Sequence, residues 1–306
     1  MNAMDRTQWL EERRKGIGGS DAAAIIGLNN YVTPYMLWAD KTGRLPEKED
    51  NEAMRQGRDL EGYVAQRFSE AARKRVHIHS DIIRNPSYLF AHANIDRKVS
   101  GEQAGLECKT TSVLNLKKFK NGEFPEHYYV QCVHYLAVTG YDRWYLAVLI
   151  LNQGFRWFTI ERDEEEIHAL MEAEREFWDT YIVPDIPPPA DGLPPTSRAL
   201  QEVYRLPDPD SEAKPLYQSD ILNDYQDLKR QIAMLETQKK KCEQILQQEL
   251  GNSVSGICGG IQIDWKPVEK RTFDLKKFVS EHPDINLSRY FKQSQYRRFV
   301  VKEKEI

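Results

Sequence analysis

Residues 89–110, LFAHANIDRKVSGEQAGLECKT, decide the fold of this chain. Within them, residues 89–99 and 104–110 have the composition of two β-strands, and the polar segment SGEQ between them is typical of a turn. The sequence therefore predicts a β-hairpin, with Asp96 near the end of its first strand.

Glu107 and Lys109 are expected to share one face of the second strand, because side chains alternate along a strand, while Leu106 and Cys108 point toward the core. Two carboxylates and a lysine at neighbouring strand ends suit a metal-dependent phosphodiesterase. Asp96 and Glu107 would bind Mg²⁺, and the metal would polarise a phosphoryl group and lower the pKa of a bound water. The lysine would orient or deprotonate that water and offset developing negative charge. The alternative is a surface salt bridge on an exposed hairpin.

Helical and strand-like segments alternate through residues 1–182. The spacing of Leu60, Val64 and Phe68, for example, predicts an amphipathic helix over 53–74. Mixed strands flanked by helices predict an α/β (α+β) core. The other predicted elements are helices over 7–14, 22–27, 127–139 and 164–181, and strands over 143–151 and 155–161.

A proline-rich stretch predicts a domain boundary. Residues 183–197, VPDIPPPADGLPPTS, hold six prolines in fifteen residues, which excludes helix and central strand and favours a semi-rigid linker. We therefore expect a core over 1–182, a linker over 183–215 and an accessory module over 216–306.

The accessory module is predicted to begin with one long helix over 219–250. Strand, helix and strand are expected to follow at 261–268, 274–282 and 296–304. Packing of the long helix on a neighbouring element and a true coiled coil both remain open. The heptad positions are Ile221, Leu228, Leu235 and Cys242.

Composition excludes several classes of protein. A formal charge of −4 excludes a histone-like protein that binds nucleic acid by bulk charge, and 40% hydrophobic residues exclude wholesale disorder. No apolar run reaches the roughly 18–20 residues that a membrane span needs, so no membrane association is expected. The four cysteines lie far apart without a CxxC motif, which favours a reducing cytoplasm and excludes a cysteine metal cage.

Further polar residues could complete the hairpin site. Glu61, on the predicted helix before the hairpin, is either a margin residue that reaches the metal or an ordinary solvated glutamate. Gln131 lies between Tyr128 and Tyr135 on one helix face. It could brace Lys109 or satisfy a buried backbone group.

A glycine-rich turn near the N-terminus, GIGGSD, carries a second candidate site. Ser20 or Asp21 can cap the helix that follows it. Arg14 and Ser20 flank the glycines, and an arginine and a hydroxyl beside backbone amides can bind a phosphate. Arg13 is an equally placed neighbour, and most such turns are only turns.

The order of these motifs resembles one family closely. R-x-GIGGSD, G-x-x-LE, the hairpin Asp, LECK and a Gln-containing helix ending in VTG follow one another as in the YqaJ-type viral recombinase family of the PD-(D/E)xK nucleases, which is similar to phage lambda exonuclease. The resemblance covers about residues 6–182. It implies a restriction-endonuclease-like core, with a central mixed sheet between helices.

The resemblance also implies roles for individual residues. Asp96, Glu107 and Lys109 match the catalytic signature, Glu61 the additional acid, and Gln131 the family's helix glutamine, with Tyr128 as support. The implied Mg²⁺ ligands are Asp96, Glu107, the Cys108 carbonyl and Glu61, with Mn²⁺ as a substitute metal. Arg14 and Ser20 resemble the pair that binds a terminal 5′ phosphate.

The implied function is a Mg²⁺-dependent 5′–3′ exonuclease on linear double-stranded DNA. Its 3′ single-stranded tails would serve a phage-type single-strand annealing recombinase. The resemblance further implies a phage or prophage protein that acts in a bacterial cytoplasm as a homo-oligomer, a trimer in lambda-type relatives. Two alternatives stay open: an endonuclease that cuts internally or at branched DNA, and a non-enzymatic binding module assembled through the heptad helix.

Overall fold

The chain forms two compact units. The computed structural model describes residues 11–47, 50–207, 211–292 and 296–302. The first unit contains the described residues up to Leu206 together with those from Tyr296 onward, and the second lies between them in sequence. Residues 11–14 are helical, and the rest of the helix predicted over 7–14 lies outside the described residues.

The centre of the first unit is a mixed β-sheet. Its strands and a small neighbouring pair are β1 (Val76–Ile78), β2 (Ile83–Arg84), β3 (His92–Ala93), β4 (Arg97–Val99), β5 (Ala104–Thr111), β6 (Arg143–Ile150) and β7 (Gly154–Glu161). Five of them form one sheet in the order β1-β4-β5-β6-β7. Only β5 and β6 run parallel, and the other neighbours in this sheet are antiparallel. β2 and β3 form a separate antiparallel pair.

Helices cover both faces of this sheet, so the predicted α/β core is confirmed. They are α1 (Gly19–Ile25), α2 (Pro34–Lys41), α3 (Glu52–Ala72), α4 (Glu126–Thr139), α5 (Glu164–Phe177) and α6 (Pro194–Val203). The helices predicted over 53–74 and 127–139 are confirmed within two residues at each end. A single π-helical turn, Trp178–Ile182, extends α5.

The two faces of the sheet carry separate apolar clusters. On one face, Phe68 of α3 packs with Leu106 and other residues of the sheet. On the opposite face, Leu136 of α4 belongs to a larger cluster with Leu146 of β6. Because β5 and β6 are parallel, the chain has to cross the sheet between them, and α4 lies on this crossover. One helix face is thereby brought over the strand that carries Glu107.

The predicted strand over 89–99 is wrong as a single element. Its first part forms β3 and pairs with β2, whereas its last part forms β4 and pairs with β5, with Arg97 opposite Leu106. Ala91 also bridges Ile17 of the glycine-rich turn. The chain changes partners between the two short strands, and Asp96 therefore precedes β4 directly.

The exclusion of helix from the proline-rich stretch 183–197 is also wrong, because α6 begins there. Pro194 and Pro195 occupy its first turn, where the backbone N–H has no intrahelical partner to lose. Thr196 and Thr33 join α6 to the start of α2 through a buried hydroxyl hydrogen bond of 2.7 Å. The middle of the linker expected over 183–215 thus packs with the first unit.

The second unit contains the predicted long helix. Its elements are α7 (Ser219–Leu250), β8 (Ser255–Cys258), β9 (Ile261–Asp264), α8 (Leu275–Glu281) and a 3₁₀ turn, Leu287–Tyr290. β8 was not anticipated: it pairs with β9 across Gly259 and Gly260, both at positive φ, as a tight hairpin turn requires. The final strand predicted over 296–304 is wrong for its described residues. There, Arg297 donates a hydrogen bond to the Tyr204 carbonyl within the first unit.

The heptad residues of α7 face solvent. Leu228 and Leu235 are 56% and 58% exposed, and no described side chain of this helix is buried. Among the described helices, none combines the length and apolarity needed to cross a membrane.

Close packing inside the sheet gives a first test. A Cβ on Gly105 would lie 2.2 Å from the Trp144 ring, which is fully buried, so Gly105→Ala has to displace a rigid side chain. We expect Gly105→Ala to lower the free energy of unfolding by about 1–3 kcal/mol in urea titrations.

Gly62→Ala is the matched control. Gly62 lies exposed in α3, and an added Cβ there has no atom within 4 Å. Alanine should therefore stabilise α3 by roughly 0.5–1 kcal/mol. Equal stabilities of the two variants would contradict the packing described for Trp144.

Candidate active site

Asp96 lies beside β5, held by a backbone contact. Its Oδ2 accepts a hydrogen bond of 2.8 Å from the Cys108 N–H. The side chain is half-buried at the point where the chain enters β4. Asp96 therefore lies next to the second strand of the hairpin, as predicted, although the first strand is broken into β3 and β4.

Glu107 and Lys109 project from the same face of β5, as their spacing predicts. Glu107 is 3% exposed, and the Lys109 Nζ lies 2.6 Å from its Oε1. Lys109 remains partly accessible. The pair is thus a half-sheltered ion pair and differs from the exposed surface salt bridge that spacing alone leaves open.

Gln131 of α4 binds the same carboxylate. Its Nε2 donates to Glu107 Oε1 and to the Tyr135 hydroxyl, each at 2.8 Å. The two expectations for this residue, bracing Lys109 or satisfying a buried backbone group, are both replaced by this contact with Glu107. Tyr128 lies on the same helix, with the Lys109 Nζ 5.3 Å from its ring centre, a cation–π distance.

Glu61 reaches the margin of the site, where an arginine holds it. Its Oε1 lies 2.5 Å from Arg97 Nη1, and the same nitrogen donates to the Asp96 carbonyl at 2.6 Å. Sequence reasoning missed Arg97, although its place directly after the first acid was a usable signal; the structure buries its side chain.

The carboxylates of the site lie close enough to affect one another's ionisation. Desolvation, together with the charges of Glu107 and Glu61, raises the pKa of Asp96 well above its ordinary value. Burial acts to lower the pKa of Lys109, but the Glu107 and Asp96 carboxylates outweigh it and raise that pKa above its ordinary value. Lys109 is therefore protonated at neutral pH, and the ionised form of Asp96 is disfavoured.

This donor set fits a cation. Glu107 Oε2 is buried without a hydrogen-bond partner among the described residues, and such an orphan oxygen is costly unless a positive ligand meets it. No three His, Cys, Asp or Glu side chains of the described ranges form a complete cage on their own. Two carboxylates with open remaining positions suit Mg²⁺, which keeps several of its waters or takes substrate oxygens.

The glycine-rich turn abuts this site. A Cβ on Gly19 would lie 2.6 Å from the Tyr135 ring and 3.1 Å from Gln131 Cγ, so only glycine lets the turn approach α4 so closely. The structure brings Arg13, rather than Arg14, to Ser20: Arg13 Nη2 donates to Ser20 Oγ at 3.0 Å. Arg14 is half-buried at the next position.

A buried pair missed by sequence reasoning supports the helix that carries Gln131. His134 Nδ1 lies 2.8 Å from Glu174 Oε1, and its Nε2 lies 3.0 Å from the His92 carbonyl oxygen. Both side chains are completely buried, and they tie α4 to α5 and β3. His92 is buried as well.

The chain is similar to known proteins in sequence. Residues 8–142 match the YqaJ-like viral recombinase domain. The uncharacterized protein YqaJ of Bacillus subtilis (strain 168) is 41% identical over 305 residues, 98% of this chain and 95% of that protein.

Two solved structures are similar to part of the chain. LHK-Exo, an alkaline exonuclease from Laribacter hongkongensis, is 21% identical; its complex with dAMP has a TM-score of 0.49 and matches 57% of this chain and 91% of that one. A phage-related exonuclease from Haemophilus somnus 129PT is 14% identical, with a TM-score of 0.43 over 55% of this chain and 95% of that one. The match to the domain and the full-length identity to YqaJ place the chain in the YqaJ-like viral recombinase family.

Proposed function

We propose that this protein is a Mg²⁺-dependent nuclease that degrades linear double-stranded DNA from the 5′ end. The observation that carries the proposal is the convergence of Lys109 and Gln131 on the buried Glu107 carboxylate beside Asp96. Membership of a viral recombinase family agrees with it, and so do neighbours that are named exonucleases. The 3′ tails would be used by a phage-type annealing recombinase, and the implied trimer stays a prediction.

Asp96 and Glu107 would hold the cation, with the Cys108 carbonyl as a further ligand and Glu61 at the margin. Bound there, Mg²⁺ supplies a Lewis acid and lowers the pKa of a water. Because the pKa of Lys109 is raised, its ammonium acts as a positive charge and hydrogen-bond donor for the phosphoryl oxygens. A raised pKa disfavours the lysine as the base that deprotonates the water.

Gln131 orients rather than reacts. By donating to Glu107 Oε1, it fixes one carboxylate oxygen, while the other, Oε2, has no hydrogen-bond partner among the described residues and is left for a cation. Tyr135 fixes Gln131 in turn, because its hydroxyl accepts the second amide N–H. Tyr128 covers the Lys109 ammonium from one side and limits its movement.

End dependence rests on the glycine-rich turn. Arg13 and Ser20 are joined by a hydrogen bond next to α4, the helix that carries Gln131. A guanidinium with a hydroxyl is a suitable receptor for a terminal phosphate. An internally cutting endonuclease has no need of such a pair. The turn therefore favours the exonuclease over the endonuclease alternative.

Metal binding can be tested without measuring cleavage. The raised pKa of Asp96 means that its ionisation destabilises the fold; the penalty is present above the folded-state pKa and absent below the unfolded-state value. In EDTA at pH 8, Asp96→Asn should therefore raise the melting temperature. Relief of about 1 kcal/mol corresponds to roughly 2–4 °C.

The same pair of proteins supplies the control. Mg²⁺ should stabilise the wild-type protein and have a much smaller effect on Asp96→Asn, and the advantage of the variant in EDTA should disappear at acidic pH. Equal stabilisation of both proteins by Mg²⁺ would show that the cation binds elsewhere.

Cleavage polarity is tested with 5′-labelled, 3′-labelled and covalently closed circular duplexes in Mg²⁺. We expect products that depend on label position and a circle that survives, whereas rapid nicking of the circle would favour an endonuclease. Glu107→Gln and Lys109→Ala should each reduce cleavage by about 10²–10⁴-fold while DNA binding persists. Binding without any cleavage by the wild-type protein would support a non-enzymatic module.

Two neighbouring variants test which arginine belongs to the end pocket, by which we mean the Arg13–Ser20 pair proposed to bind a terminal 5′ phosphate. Because Arg13 contacts Ser20, Arg13→Ala should abolish a preference for 5′-phosphorylated over 5′-hydroxyl ends, and Arg14→Ala should leave most of it. Relative cleavage rates of the two duplexes measure the preference. The reverse result would restore the assignment to Arg14 that the motif order implies.

A further inference from the structure

A buried cation that the proposed mechanism does not use lies behind the Arg13–Ser20 pair. Lys41, the last residue of α2, has a side chain that is 2% exposed. Its Nζ lies 2.6 Å from Asp21 Oδ2, 2.8 Å from the Arg13 carbonyl oxygen and 2.7 Å from the Gly16 carbonyl oxygen. All three ammonium protons therefore have acceptors, two in the glycine-rich turn and one in the residues just before it.

Asp21 connects this lysine to the pocket. Its Oδ2 also accepts from the Gly18 N–H at 3.0 Å, while its Oδ1 lies 3.9 Å from Arg13 Nη2 and 3.5 Å from Ser20 Oγ. Burial acts to raise the pKa of Asp21, but the charges of Lys41 and Arg13 lower it to about 2. Asp21 is therefore ionised at any physiological pH and stands between two cations.

The balance of these charges decides whether the end pocket attracts an anion. With Lys41 present, two positive charges surround one negative charge, and the group carries a net charge of about +1 toward an incoming phosphate. Without Lys41, the Asp21 carboxylate would face Arg13 alone. The net charge would fall to zero, and the carboxylate next to Ser20 would repel the phosphate.

We propose that Lys41 is a positioning residue for end recognition: by compensating Asp21, it keeps the group of Lys41, Asp21 and Arg13 beside Ser20 net positive and so sets the preference for phosphorylated over hydroxyl ends. The inference rests on the proposed end-dependent function and deepens it. Lys41 acts through Asp21 and Arg13, because its side chain is enclosed and its ammonium is taken up by Asp21 and two backbone carbonyls.

Direct binding tests this role apart from cleavage. The dissociation constants of short duplexes with 5′-phosphate or 5′-hydroxyl ends are measured in EDTA, and their ratio defines the preference. Lys41→Met should reduce the ratio about tenfold, the effect expected from loss of one nearby charge in a partly sheltered site. The double variant Lys41→Met/Asp21→Asn, which restores the charge balance, should recover the ratio to within about threefold of the wild-type value.

The recovery separates charge compensation from a structural role. If Lys41 only tied the turn together through the Arg13 and Gly16 carbonyls, the double variant would lose at least as much as the single one. Lys15→Met is the matched control. It removes a cation next to the same turn, but this cation pairs with Glu12 instead of Asp21. It should leave the ratio unchanged even if both affinities fall.

A second variant covers the case in which Lys41→Met does not fold. Asp21→Asn keeps an acceptor for the Gly18 N–H but removes the negative charge, so it should raise the ratio. An unchanged or lower ratio in folded Asp21→Asn, or no recovery in the double variant, overturns the proposal. So does a wild-type protein that binds both ends equally.

Cleavage of the same duplexes in Mg²⁺ reports separately on the proposed nuclease. A protein that discriminates between the ends in EDTA but does not cleave in Mg²⁺ would retain the role of Lys41 and contradict the nuclease activity. A protein that cleaves but binds both ends equally would retain the nuclease and contradict the end pocket.

Discussion

The burial of the Glu107 carboxylate is the constraint on which the first unit depends. A carboxylate that is 3% exposed has lost nearly all of its hydration and has to be matched by donors or cations. Lys109 and Gln131 both meet Oε1, one from the same strand and one from the helix above it. Oε2 remains without a protein partner among the described residues, so it is the oxygen of Glu107 that is left for a cation.

The topology of the sheet explains why a helix can supply one of these donors. A parallel pair of strands cannot be joined by a hairpin, so the chain between β5 and β6 crosses the face of the sheet. α4 lies on that crossover, above the strand that carries Glu107. The buried His134–Glu174 pair then ties this helix to α5, and the hydrogen bond from Gln131 to Glu107 ties it to β5.

Local patterns predicted the parts of this structure that local patterns determine. Alternation along β5 placed Glu107 and Lys109 on one face, helical spacing placed α3 and α4, and the charge and hydrophobic content indicated a folded core. The order of the motifs indicated the family, which the full-length similarity to YqaJ confirms. Asp96 lies beside β5, as the predicted hairpin requires, even though its strand is broken.

Features that depend on tertiary contacts could not be predicted in this way. Arg13 and Arg14 are equivalent in sequence, and only the path of the turn brings Arg13 to Ser20. Burial of Lys41 follows from where α2 ends relative to that turn, and no periodicity encodes it. The prolines of residues 183–197 predict the absence of a helix, whereas in the first turn of α6 prolines are favourable.

The close approach of Gly19 to Tyr135 also constrains how this sequence can change. The turn that bears Ser20 and the helix that bears Gln131 touch where a side chain has no room. A larger residue at position 19 would require a smaller one at position 135, which would remove the hydroxyl that fixes Gln131. Positions 19 and 135 should therefore covary among descendants of this chain, although 116 positions separate them.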